Sequence, residues 1–301
     1  MTIHLHGARP VPVSGATPAQ WSPAGLDDTG EIPLRALAQP TAVPRVPDDH
    51  REVVNMALRP LRQWATAPIV GVEGGAGRTT VTRLLGRAFM TVRKEKLAAV
   101  DAVPLWGGLT AAVASPDGTG LTVQDVAAME WPPQLPVEQL LNDRLAGDGP
   151  VPTVTSRSAS KDGWANSDEL DLCVRRVSAL VDLTLVDTLA DPLSIPIREL
   201  VEMQRTTPVW VCTATRDGLW RVSEAITVLQ KLGAQDLIAR SVVAVVGHVR
   251  RWPRDAAAAE TQLSGRGLEV IRFRCSSDPL RSRRCARSAV RLVAAVVARS
   301  G

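Results

Sequence analysis

Histidine, cysteine and lysine are scarce in this sequence. Only four histidines occur in 301 residues, and His4, His6 and His50 stand ahead of the first expected strand. Histidine-based catalysis or metal binding is therefore not the expected chemistry. Four cysteines, Cys173, Cys212, Cys275 and Cys285, are scattered with no C-x-x-C pair. That pattern excludes a zinc ribbon or disulfide framework and fits buried thiols in a reducing, cytoplasmic setting. No charge-free apolar run reaches the roughly 18 residues of a membrane span, so no transmembrane segment is expected. Met1–Pro12 lacks the continuous apolar stretch of a secretory signal.

Arginine supplies nearly all the positive charge, 31 residues against four lysines, and its distribution is uneven. Residues 1–47 hold three Arg and three acids, residues 48–271 hold 24 basic and 27 acidic residues, and residues 272–301 hold eight Arg against Asp278 alone. An anionic partner is thus expected at the C-terminal region. Residues 1–47 also hold eight prolines and few large apolar side chains. Such a stretch cannot bury enough surface to offset its ordering entropy, so it reads as a disordered arm, either a passive tail or a tether for a protein partner.

From residue 48 to 301 the pattern is that of one domain, 45% of the whole sequence being hydrophobic. Val53, Met56, Ala57, Leu61 and Trp64 recur at helical spacing. Apolar or β-branched runs at Pro68–Val72, Leu97–Asp101, Val151–Thr155, Leu183–Asp187, Pro208–Cys212, Val242–Gly247 and Leu268–Phe273 read as strands. Helical stretches separate them at Thr79–Arg93, Val123–Glu130, Val137–Leu145, Asn166–Leu180, Ile197–Gln204, Gly218–Leu232 and Asp255–Leu263. Strands alternating with helices imply an α/β fold, a doubly wound, mostly parallel sheet covered by helices on both faces.

The segment Pro68–Thr80 carries the most chemistry. An apolar strand runs into Glu73-Gly74-Gly75-Ala76-Gly77-Arg78-Thr79-Thr80, and a helix opens at once. Glycines let backbone N–H groups wrap phosphate oxygens at a helix N-terminus, and the threonine after the basic residue can hold Mg2+. This loop resembles that of the MinD/ParA family of deviant Walker A P-loop ATPases. Three further motifs follow in the family's order. Ala99–Pro104 is similar to its switch I, with Asp101. Leu183–Thr188 is similar to its Walker B strand, with Asp187. Pro208–Leu232 matches a strand, turn and helix. The resemblance implies ATP and Mg2+ as ligands, Gly74, Gly75, Ala76, Gly77, Arg78, Thr79 and Thr80 as the phosphate cradle, Thr79, Asp101 and Asp187 as the metal side, and a homodimer.

Four positions depart from the family pattern. Glu73 stands where the resemblance implies a lysine reaching across a dimer, Arg78 replaces the P-loop lysine, and Val103 replaces the aspartate that positions water. Gly247-His248 falls where an asparagine usually contacts the base. A carboxylate beside a triphosphate repels it, and valine cannot orient water. The expected function is an accessory protein of spatial organisation, DNA partition or transfer, or secretion, holding nucleotide with weak or absent hydrolysis. An active ATPase using Arg78 and a nucleotide-independent adaptor are the alternatives. Arg250, Arg251 and Arg254 flank Trp252 in an expected surface loop, which reads either as a solvated turn, the commoner case, or as a contact for DNA or another polyanion, arginine on phosphate and tryptophan stacked on a base. The last helix sets Arg284, Arg287 and Arg291 opposite Ala289, Leu292, Val293, Val296 and Val297, which reads as a core helix with an exposed arginine face rather than a membrane anchor.

Overall fold

In a computed structural model of the chain, residues 45–61, 64–103, 108–113, 121–130, 151–155, 165–190, 206–248, 251–275 and 278–300 are described. The elements in chain order are α1 His50–Ala57, β1 Ala65–Gly71, α2 Arg78–Val92, β2 Leu97–Asp101, α3 Gly108–Val113 and α4 Val123–Ala128. They continue with β3 Thr153–Val154, α5 Ser167–Ser178, β4 Leu183–Asp187, β5 Val209–Thr213, α6 Arg216–Lys231 and α7 Gln235–Arg240. The chain closes with β6 Val242–Gly247, α8 Arg254–Gly265, β7 Glu269–Arg274, a 3-10 turn Pro279–Arg281 and α9 Arg283–Arg299. The expected helices at Val137–Leu145 and Ile197–Gln204 lie outside the described residues.

The strands form one sheet in the order β3-β2-β4-β1-β5-β6-β7, and every pair is parallel. The chain fills one side of β1 with β2, β3 and β4, then crosses to the other side with β5, β6 and β7. The topological switch point therefore lies beside β1, where doubly wound sheets bind ligands outside the strand C-termini. Strand alternation sends successive side chains to opposite faces. Ala67, Ile69, Val211 and Ala244 join one core layer with α1, α2 and α9. Val70, Trp210, Cys212 and Val245 join a second layer with α6 and α8, and Val100, Val154 and Val186 a third with α4 and α5.

Local signals account for the element ends. Asn166 and Glu169 form the reciprocal capping box that starts α5, and Thr122 with Asp125 does the same for α4. α9 is a core helix: Leu292 through Val297 are all buried, while Arg284 and Arg287 stay exposed. Arg291 is partly structural, donating 2.8 Å to the Pro47 carbonyl and lying 3.6 Å from Asp48. Contacts with the domain begin earlier than residue 48, because Val46 is apolar and is buried, its N–H donating 3.2 Å to Glu269. The remainder of the expected arm, residues 1–44, lies outside the described residues. The cysteines are less scattered in space than in sequence. Cys275, just after β7, and Cys285, in the first turn of α9, are buried free thiols with sulfurs 3.5 Å apart.

Candidate functional site at the strand C-termini

Because all seven strands are parallel, the ends of β1, β2, β4, β5 and β6 share one edge, and the sequence motifs converge there. The turn after β1 is shaped by glycines: Gly75 and Gly77 take φ of +74° and +89°, left-handed values that side chains with a Cβ adopt at a cost. Gly77 is also the residue from which α2 starts. Gly74 and Gly75 are exposed while Ala76 is buried beneath them, so the loop presents backbone outward.

Thr79, in the first turn of α2, donates 2.7 Å to Asp187 Oδ2 at the end of β4. Asp187 is fully buried, and among the described residues its Oδ1 has no hydrogen-bond partner. Burial pushes its pKa up to about 7; nearby Asp101 adds to the rise, and the Thr79 bond and the Arg78 charge oppose it. An orphaned, buried carboxylate oxygen next to a threonine hydroxyl suits a divalent cation. No group of three or more His, Cys, Asp or Glu gathers among the described residues. Mg2+ here would thus need oxygens from phosphate and water to complete its shell, as Mg2+ commonly does.

Asp101 stands in register with Asp187 across the β2–β4 pair. Its carboxylate is already engaged, taking 2.8 and 2.6 Å bonds from the Thr110 N–H and hydroxyl and a 3.0 Å bond from the Val103 N–H. It ties the segment after β2 to α3. Gly108, at the start of α3, sits so close over Thr79 that a Cβ there would meet the Thr79 hydroxyl at 2.7 Å.

Arg78 runs across Gly71 and donates to the Thr188 carbonyl. A Cβ at Gly71 would fall 2.4 Å from Arg78 Cδ, so the missing side chain clears the arginine's path. Burial lowers the Arg78 pKa, with Asp187 and Asp101 opposing. The guanidinium thus lies near both carboxylates.

Glu73 departs most from expectation. Its carboxylate turns to the end of β5 and accepts from the Thr213 N–H at 2.8 Å and the Thr213 hydroxyl at 2.6 Å. Gly218 makes room, since a Cβ there would meet Glu73 Oε1 at 2.7 Å and the Thr213 carbonyl at 2.9 Å. The two donors hold the carboxylate at the end of β5 and leave its charge in place. Sequence reasoning missed Thr213 and Gly218; a glycine within the first turn of a helix, facing a position of altered charge, was the available signal. Substituting Gly218→Ala should expel Glu73 from this seat and cost about 2 kcal/mol, through overpacking and a lost charge-assisted bond pair. Thermal unfolding would check it, and an unchanged melting temperature would show the seat to be soft.

The expected polyanion loop divides. Arg251 and Arg254 are exposed, and Arg250 lies outside the described residues. Trp252, expected to be available for stacking, is not: its indole N–H donates 2.9 Å to Glu260, and Arg272 and Arg274 lie over its ring at 5.3 and 5.7 Å. Glu260, buried, accepts from both Trp252 and Arg272 and so holds Arg272 against the ring.

The fold is similar to that of solved ParA and MinD proteins. A ParA family ATPase from Chlorobium tepidum superposes with a TM-score of 0.55 at 14% identity, over 78% of this chain and 96% of that one. A plasmid partition protein of Borrelia burgdorferi, bound to AMPPNP, gives 0.52 at 12%, over 77% and 97%. The MinD cell division protein of Aquifex aeolicus gives 0.51 at 14%, over 78% and 95%. At these identities the likeness concerns fold. No known family profile matches the sequence. In sequence the chain is 30% identical over 189 residues to the ESX-1 secretion-associated protein EspI of two Mycobacterium tuberculosis strains. That match covers 60% of this chain and 26% of EspI, so the chain spans about a quarter of the length of the curated relatives it matches.

Proposed function

We propose that this domain is a nucleotide-binding switch of the ParA/MinD type with a disarmed deviant Walker A loop. It holds ATP through the backbone of Gly74, Gly75, Ala76 and Gly77 with Arg78, Thr79 and Thr80, and Mg2+ through Thr79 and Asp187. Asp101 serves as a positioning residue, binding the segment after β2 to α3. Hydrolysis is slow or absent, because Val103 supplies no polar group to orient water and phosphoryl transfer depends on positioning and charge. The observation that carries this reading is the Thr79–Asp187 pair at 2.7 Å, with a buried, unpartnered Asp187 oxygen at the mouth of the glycine turn.

The Glu73 seat on Thr213 supports a domain that is not bridged to a second copy through this position. The likeness to EspI favours service in secretion over DNA partition. Titration with a fluorescent ATP analogue tests the binding. Saturable, Mg2+-enhanced binding that weakens about tenfold or more in Thr79→Ala is expected. Absence of saturable binding at millimolar analogue would leave an adaptor that ignores nucleotide.

A further inference from the structure

A second feature of the molecule lies on the face of the sheet covered by α2 and α9. Between these helices and the 3-10 turn runs an open groove of about 330 Å³. Leu84, Ala88 and Val92 contribute one stripe of α2, four residues apart, which places them on one helix face. Ala286 and Val290 contribute the matching stripe of α9, and Leu280 closes one end. Leu84 and Ala88 are buried at the floor, Val92, Leu280 and Val290 are half-buried, and Ala286 is exposed at the mouth.

Among the described residues that line the groove, the charged ones are Arg87, Arg281 and Arg283, all positive. Arg87 is fixed over one end by donating 3.0 Å to the Leu280 carbonyl. Arg281 is 89% exposed, its Nε 3.4 Å from an Asp278 oxygen. Arg284 and Arg287 continue the exposed cations along α9.

We infer that this groove is a docking site for an acidic, amphipathic peptide segment of a partner protein, whose apolar side chains enter the groove and whose carboxylates meet the arginine rim. An apolar floor bounded by cations matches a ligand with spaced apolar anchors between acids, the helix-in-groove mode of recognition. Arginine suits the rim because its planar fork pairs with carboxylates in a bidentate manner. A nucleic-acid duplex presents phosphates on a convex, polar surface and leaves an apolar concavity unfilled. A bilayer surface is flat, and the apolar face of α9 that could enter it is already buried in the core. The inference does not rest on the nucleotide reading, as none of its residues belongs to the phosphate loop.

The test starts from a display library of random peptides selected on the full chain, followed by anisotropy with a fluorescein-labelled winner. Expected winners are acidic, with apolar residues at three- and four-residue spacing. Their binding should fall at least about tenfold in Ala286→Glu and in the pair Arg281→Glu, Arg283→Glu, both surface changes whose folding circular dichroism verifies. A scrambled peptide of the same composition should bind at least about tenfold more weakly than the winner. Equal binding of the scrambled peptide, or winners that carry no acidic residues or ignore these substitutions, would overturn the inference. So would a DNA duplex, or phosphatidylserine vesicles, that bind more tightly than any peptide and lose binding in the same variants.

Discussion

Asparagine in place of Asp187 should change two measurements in opposite directions. The first is the pH dependence of stability without ligand. Burial raises the folded carboxyl to about 7 from an ordinary 3.8. The folded form therefore holds its proton more tightly than the unfolded form. Stability from this group is intact below about pH 4 and is lost as pH rises through about 7, by on the order of 2–4 kcal/mol. Asp187→Asn carries no charge at any pH and still accepts from Thr79. The difference between wild type and variant should slope against the wild type across that window, whatever constant offset the new amide brings. The second measurement is nucleotide affinity in Mg2+, which should fall about 10- to 100-fold in the variant, because the metal loses the carboxylate that faces it. A flat difference curve would show that Asp187 titrates normally, and unchanged affinity would remove it from the metal side.

The second large effect is a gain. The pair Glu73→Lys, Val103→Asp places a cation at the loop and a carboxylate beside the segment tied to Asp101. One positioned group of this kind is commonly worth about 100-fold in rate. ATP turnover in the double variant should therefore exceed the wild type by about 100-fold or more. Glu73→Lys also gives up the Thr213 bonds, so a small loss of thermal stability should accompany the gain. If the double variant is as slow as the wild type, these two positions are not what limits the chemistry.

The fold was readable in the sequence because strand and helix periods alternate cleanly. Leu97–Asp101 and Leu183–Asp187 occupy the expected residues, and the Asn166–Glu169 box starts α5 as its spacing requires. β1 begins at Ala65 rather than Pro68, since Ala65–Ala67 are small residues whose burial comes from pairing with β4, a tertiary effect that a hydropathy pattern does not carry. The glycine turn and both aspartates were legible as residues, and so was their gathering at one edge. Their partners were not. That Thr213 would seat Glu73 depends on a contact across 140 positions, and that Thr110 would cap Asp101 or Glu260 claim Trp252 depends on how the chain turns back over eight or nine. Each follows from a buried or half-buried polar group finding the nearest donor or acceptor, a rule that needs coordinates to apply. The meeting of Cys275 and Cys285 had the same cause, as β7 and α9 fold back on each other.

The property that matters most is that nucleotide is held but not efficiently turned over. A single-turnover experiment reads it directly. The full chain, in excess over radiolabelled ATP with Mg2+, is passed through a desalting filter at intervals, and the bound nucleotide is identified by chromatography. Intact ATP should be retained on the protein over many minutes. Prompt conversion to ADP, or no label retained at any protein concentration, would contradict it.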